Sequence, residues 1–411
     1  MKNNTKDNIL SNGFILIWQG QLVSTLGDSA YAIALGFWIL KVTGSTALMG
    51  TLMAVSVLPS LFISPFAGVW IDRINKKYLL IMMDVIRGTV MLLITAAAYS
   101  SVLAVWMVFA AGILLNICGA FFRPGVNALL PKLVQKSKLS NANSMLSMAT
   151  TGASMIGNAV GGFLYQSFGA PLLFLINGIS YLFSGGSICF LRLTEDKLEE
   201  KQNFFAEMKS GFHFMWNKKG LRYMLMMAAI INFFAYISIV LLLPLFETSS
   251  YLGAGRYGLA MACFMGGCLG GFILMSAITI SSKHRLSIFI LANTISTICF
   301  IIAVNQRILG ILIAFLVIGG FFNSVVNVIL LSSVQSNTPS NMQGKVFAFL
   351  NMTTQSLTPV SMATGGMLAS FLPIRLVISL SFLILMFFVI PFLFIHDFRK
   401  YINYEIESQQ G

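Results

Sequence analysis

The chain has 411 residues, of which 57% are hydrophobic and only 9% are charged, where a soluble domain carries about a quarter charged residues. That composition excludes a soluble globular protein. The formal charge of +13 would suggest a nucleic-acid partner for a soluble chain, but here it reads as cations gathered in loops on one membrane face, with no nucleic-acid partner.

Twelve apolar spans are predicted, near 14–40, 47–71, 78–99, 103–126, 143–165, 171–191, 221–246, 258–280, 287–304, 308–332, 346–371 and 375–396. Most reach about 20 residues, enough to cross a ~30 Å hydrocarbon core, so the expected class is an all-α membrane protein. Lys2, Lys6 and the apolar stretch from Phe14 resemble a cleaved leader. The run continues to Leu40, however, so it reads as an uncleaved first helix. Asp28 falls halfway along it. A carboxylate there costs ~2.5–3.5 kcal/mol to insert, so it is either a proton carrier or substrate counter-ion, or a structural group bonded to a neighbouring helix.

Spans 2 and 3 are joined by Gly68-Val-Trp-Ile-Asp-Arg-Ile-Asn-Lys-Lys77. Asp72, Arg73, Lys76 and Lys77 are too charged for hydrocarbon and belong at one membrane face. Asp84 and Arg87 share one face of span 3, one to two turns from its inner end, and read as a local ion pair supporting a gate. Arg123 follows Phe121-Phe122 at the inner end of span 4, where it either binds an anionic group or snorkels inward. Gly157 and Gly161 in span 5, and Gly266-Gly267 with Gly270-Gly271 in span 8, give the small-xxx-small spacing of close helix packing.

The long loop Arg192 to Gly220 holds Phe204, Phe205, Met208, Phe212, Met215 and Trp216 at helical spacing. It reads as an amphipathic helix on the inner leaflet. It divides the chain into a six-span half over 1–191, a linker over 192–220, and a six-span half with a tail over 221–411. With the N-terminus inside, 20 of the 26 Lys and Arg residues fall on the cytoplasmic side and four outside, which puts both termini in the cytoplasm. The second half has no charged residue in its span cores, but offers Asn232, Tyr236, Asn293, Asn323, Asn327 and Gln355 as polar wall candidates, with Tyr31 from the first half. The five cysteines form no C-x-x-C pair and the three histidines lie far apart, so no metal or other cofactor is expected.

The halves repeat. GAFFRPGVNALLPKLVQ at 119–135 aligns without a gap to GGFFNSVVNVILLSSVQ at 319–335, matching Gly119/Gly319, Phe121/Phe321, Asn127/Asn327 and Gln135/Gln335 among others. Parallel six-span repeats with a midplane site between them are one plan of secondary transporters. The 68–77 joint resembles the cytoplasmic loop signature G-x-x-x-D-R-x-x-[RK]-[RK] of the major facilitator superfamily. Gly27-Asp28, Thr43-Gly44-Ser45, and Pro124 with Asn127-Ala128-Leu129 resemble bacterial drug, macrolide and siderophore exporters. Gly27-Asp28 and Leu139-Ser-Asn-Ala-Asn143 are also similar to lysophospholipid flippases.

This resemblance implies two six-helix bundles, a cytoplasmic gate at Gly68, Asp72, Arg73, Lys76 and Lys77, and a monomer in the bacterial cytoplasmic membrane. Its partners would be a small-molecule substrate, protons and membrane lipids. The sequence departs from the antiporter pattern G-P-x-x-G-G, with Asn158 in the proline position, and carries Leu115 and Asn116 where a basic residue often stands in helix 4. The leading expectation is a proton-coupled exporter of amphipathic, macrolide-like molecules. A flippase, or an exporter of a siderophore or other endogenous metabolite, is the alternative. A membrane-embedded enzyme fits less well, because no H-E-x-x-H, G-x-S-x-G or Walker loop is present.

Overall fold

A computed structural model describes residues 12–135, 139–191, 213–278 and 280–403. Among them the regular structure is helical. The main helices are α1 (Asn12–Thr43), α2 (Thr46–Arg73), α3 (Lys76–Tyr99), α4 (Val105–Leu133), α5 (Leu139–Phe168), α6 (Ala170–Cys189), α7 (Lys219–Thr248), α8 (Ala254–Ala277), α9 (Ser282–Asn305), α10 (Leu309–Ser336), α11 (Ser340–Ser356), α12 (Thr358–Phe371), α13 (Ile374–Phe394) and the short α14 (His396–Asn403). Ten of the described helices are long and apolar enough to cross a membrane. α5 is not among them, because its Ser, Thr, Asn and Gly residues dilute the apolar ones. The expected span 346–371 is α11 and α12, broken at Leu357. Pro359 causes the break, since it has no N–H to give and its ring crowds the preceding turn.

Local chemistry sets the helix ends. Gly44 has φ +64°, a conformation glycine adopts without strain. Ser45 then caps α2 by accepting from the Leu48 N–H at 3.1 Å, and Thr43 Oγ1 accepts from the Ser45 N–H at 3.2 Å. The joint between α2 and α3 is shorter than its charge suggests. α2 runs through Arg73, and Asn75 already caps α3, accepting from the Lys77 N–H at 3.1 Å. Of the expected amphipathic helix, 204–212 lie outside the described residues. Residues 213–217 are helical, with Met215 buried and the Arg222 guanidinium 5.3 Å from the Trp216 ring centre.

The chain divides into two compact units, Met1–Glu200 with Phe246–Ala262, and Lys201–Leu245 with Cys263–Gly411. In the first, α6 packs on both α1 and α3, α5 packs on α1, and α4 packs on α2 and α3. Missing side chains permit this. A Cβ added at Gly157 would lie 2.9 Å from the Leu26 carbonyl oxygen, and one at Gly161 would lie 2.9 Å from the Ala30 Cα. Helices in lipid gain little from burying apolar surface against each other, so such backbone approach supplies the packing. The Phe246–Ala262 segment joins this unit through Tyr257, whose ring lies edge-on to Phe37 at 5.6 Å.

In the second unit α9 packs on α10 and α13, and the short α14 closes against α9, α10 and α13. Phe398 and Ile402 of α14 are fully buried. The Asn337 amide donates to the Tyr401 carbonyl at 2.9 Å, and Asn403 Oδ1 accepts from the Leu286 N–H at 3.2 Å. α8 meets α10 through glycine: Ser324 Oγ donates to the Cys268 carbonyl at 2.8 Å, and a Cβ at Gly271 would lie 2.8 Å from the Ser324 Cβ.

Two stability predictions follow from these contacts. Gly157→Ala must push α5 from α1 and should cost about 1–3 kcal/mol. Gly119→Ala, with nothing within 4 Å of the new Cβ, should cost nothing. Thermal unfolding of the purified proteins in detergent compares them. Phe398→Ala should cost about 3–5 kcal/mol by emptying a packed aromatic site, seen as a clear fall in the unfolding midpoint.

Candidate functional site

The site is built from α1 upward. Gly13, Gly20 and Gly27 recur every seven residues and line one face of that helix. A Cβ at Gly20 would lie 3.0 Å from Ser184 Oγ, and one at Gly27 would lie 2.7 Å from Asn177 Oδ1. α6 answers with Asn177, Ser180, Tyr181, Ser184 and Ser187, a polar face on an otherwise apolar helix. Gln19 Nε2 donates to Ser187 Oγ at 3.4 Å lower on the same seam.

This close approach delivers Asp28 to Tyr181, whose hydroxyl donates to Asp28 Oδ1. Asp28 lies 16 residues into α1, about 24 Å along it. Tyr181 faces α3 as well. Its ring centre is 4.4 Å from the Arg87 guanidinium carbon, and the Phe122 ring of α4 lies 4.3 Å away. A guanidinium held by two aromatic rings keeps attractive partners while shedding water. Arg87 Nη2 donates to Asp84 Oδ1, and both residues are buried, Asp84 completely. Gly185 makes room for Asp84, since a Cβ there would lie 3.1 Å from the Asp84 Cβ. Arg87 stands where two apolar clusters meet, one holding Met83 and Phe122, the other Met91 and Tyr181.

α3 begins at Lys76, so Asp84 and Arg87 lie about two and three turns inside it. They form the expected ion pair, but it is joined to Asp28 through one tyrosine that the sequence reading passed over. The signal was present: the polar residues of α6 recur at helical spacing, as do the glycines of α1.

Other expected residues fall elsewhere. Tyr31 packs its ring 5.8 Å from Phe174, and its hydroxyl is buried without a hydrogen bond. Arg123 is exposed. The Lys77 ammonium donates to the Cys189 carbonyl at 2.8 Å, tying the start of α3 to the end of α6. Lys76 is half-buried. Gly68, Asp72 and Arg73 fall in the last turns of α2, and the side chains of Asp72 and Arg73 lie outside those described. In the second unit Asn232 donates to the Ala228 carbonyl at 2.9 Å, and Asn327 donates to Asn323 Oδ1 at 3.1 Å, both within their own helices. Asn293 is buried, Tyr236 is half-buried, and Gln355 is exposed, accepting from Thr358 Oγ1 at 3.3 Å across the α11–α12 break. Among the described residues no three His, Cys, Asp or Glu side chains gather as a metal site would require.

Known proteins resemble this chain in sequence or in fold. Macrolide efflux protein A of Streptococcus pyogenes is 24% identical over 375 residues, covering 90% of this chain and 89% of that protein. The putative bacilysin exporter of Bacillus amyloliquefaciens is 25% identical over 349 residues, covering 80% and 82%. A bacterial homolog of the human lysosomal transporter Spinster, solved in an inward-facing, unoccupied conformation, superposes with a TM-score of 0.70 at 13% identity and covers 98% of each chain. The family profile described as Major Facilitator Superfamily matches residues 17–363. The chain is a multi-pass membrane transporter of small molecules rather than an enzyme, and it belongs to the Major Facilitator Superfamily.

Proposed function

We propose that the protein exports amphipathic small molecules of the macrolide kind across the bacterial cytoplasmic membrane, exchanging them for protons by alternating access. The observation that carries the coupling part is Asp28, a carboxylate midway along a membrane helix and held by a buried tyrosine. The relatives named for macrolide efflux and bacilysin export support the direction and the kind of cargo. In this reading 1–191 and 221–411 are two six-span halves joined by 192–220, both termini are cytoplasmic, and the protein works as a monomer among lipids. The 68–77 segment gates the cytoplasmic side. Tyr31, Asn232, Tyr236, Asn323, Asn327 and Gln355 contribute polar walls to the substrate path.

The energetics suffice. A potential of 100 mV supplies ~2.3 kcal/mol per charge and one pH unit ~1.4 kcal/mol. One proton per cycle then sustains a concentration ratio of about 500. The direct experiment is accumulation of labelled erythromycin in cells that lack or overproduce the protein. Overproduction should lower accumulation, and equal accumulation in both strains would remove the macrolide reading.

Asp28→Asn keeps the side-chain size and removes the titration. It should abolish uphill efflux in vesicles with an imposed pH gradient while leaving substrate binding. Pumping at wild-type rate would make Asp28 a structural residue. Asp72→Asn should impair efflux without lowering the amount of inserted protein, and a normally expressed variant with full efflux would contradict the gate.

A further inference from the structure

We propose that Arg87 is shared between Asp84 and Asp28, so that α1, α3 and α6 hold a two-carboxylate, one-cation centre that binds a single proton. This rests on Asp28 as the coupling acid and adds the groups that complete its charge. A guanidinium has five N–H donors. Arg87 gives one to Asp84 from Nη2, and its Nε is buried without a hydrogen bond. The guanidinium carbon lies 4.3 Å from the Phe122 ring centre and 4.4 Å from that of Tyr181. Ring contacts hold the guanidinium by its charge without using its N–H donors. The same Tyr181 that carries the guanidinium on its ring holds Asp28 by its hydroxyl. The two acids are thus connected through one side chain of α6 and one of α3.

The charge count gives the stoichiometry. Two ionised carboxylates and one guanidinium carry a net single negative charge, which is costly among membrane helices. One proton on an Asp28 carboxylate oxygen removes it, and no other covalent bond changes. Arg87 then belongs to Asp84. When the proton leaves, the Asp28 carboxylate draws the unused N–H groups of Arg87.

The surroundings hold few competitors. Among the described residues, the other titratable or charged groups around this centre are Tyr31 on α1, Cys118 and Arg123 on α4, and Tyr181 itself. α5 has no acidic or basic residue, and α2 has only Asp72 and Arg73, at its end.

The test is a pH titration of the protonated-carboxyl infrared band of the purified full-length protein in detergent, with no substrate present. Asp28→Asn identifies the band that belongs to Asp28. Arg87→Gln should raise the midpoint of that band by about one pH unit or more, a tenfold gain in proton affinity. Asp84→Asn should lower it, because Arg87 then serves Asp28 alone. Tyr181→Phe keeps the ring on Arg87, removes the hydroxyl, and should raise it. A wild-type protein without a titrating Asp28 band, or a midpoint unmoved by both Arg87→Gln and Asp84→Asn, overturns the shared centre and leaves a local ion pair.

Removing one member of a buried pair can prevent folding. The double variant Asp84→Asn/Arg87→Gln removes both charges together. Its Asp28 midpoint should still rise, because Arg87 lies against the tyrosine that touches Asp28. An unchanged midpoint there overturns the proposal equally. The readout is independent of transport. Opposite shifts in the two single variants, together with an Asp28→Asn protein that still pumps uphill, would uphold the centre and discard Asp28 as the coupling acid.

Discussion

A guanidinium buried among membrane helices has to be neutralised by the protein itself, because the lipid offers it nothing. Arg87 meets that demand with one carboxylate and two aromatic faces, supplied by α3, α4 and α6. Each partner comes with its own condition. Asp84 needs the gap above Gly185, and Tyr181 needs a partner for its hydroxyl, which α1 provides as Asp28. Four of the helices in the first unit are positioned by one charge and the groups that balance it.

The close packing of the first unit and its polar centre have a common origin. Gly20 and Gly27 let α1 approach α6 until serine and asparagine side chains touch its backbone face. Gly157 and Gly161 do the same for α5 on the neighbouring face. Between them α1 is fixed on two sides, which sets the direction in which Asp28 points. Larger residues at these positions would part the helices and separate Asp28 from Tyr181. Packing and electrostatics are therefore one constraint here, not two.

The second unit solves a different problem. Its membrane helices carry no acid or base in their cores, so nothing comparable to Arg87 organises them. Aromatic contacts do more of that work, as with Phe300, stacked on Phe382 at 5.1 Å. α14 then covers the ends of α9 and α10, and its amide and carbonyl groups satisfy helix-end groups that would otherwise face a less polar surface. At the break between α11 and α12 the Leu357 carbonyl accepts from the Ser361 N–H at 2.8 Å. Gln355 and Thr358, bonded to each other, bring side-chain polarity to that point.

Much of this was legible in the chain. Apolar run length identified a helical membrane protein, and the Gly68–Lys77 spacing with the internal repeat pointed to the superfamily, because both are local, linear properties. Helix caps at Ser45 and Asn75 are equally local, and the glycine pairs of α5 and α8 announced close packing correctly. Single residues stood out where their chemistry is improbable in lipid, as Asp28, Asp84 and Arg87 did. What connects them was not legible. Tyr181 looks like any aromatic residue of an apolar helix until α6 is rotated so that its ring covers Arg87 and its hydroxyl meets Asp28. That rotation depends on glycines of α1, of which Gly27 is 154 residues from Tyr181 in the chain. Sequence spacing fixes which residues share a face of one helix. Only the packing of several helices decides which faces meet, and so which charges belong to one another.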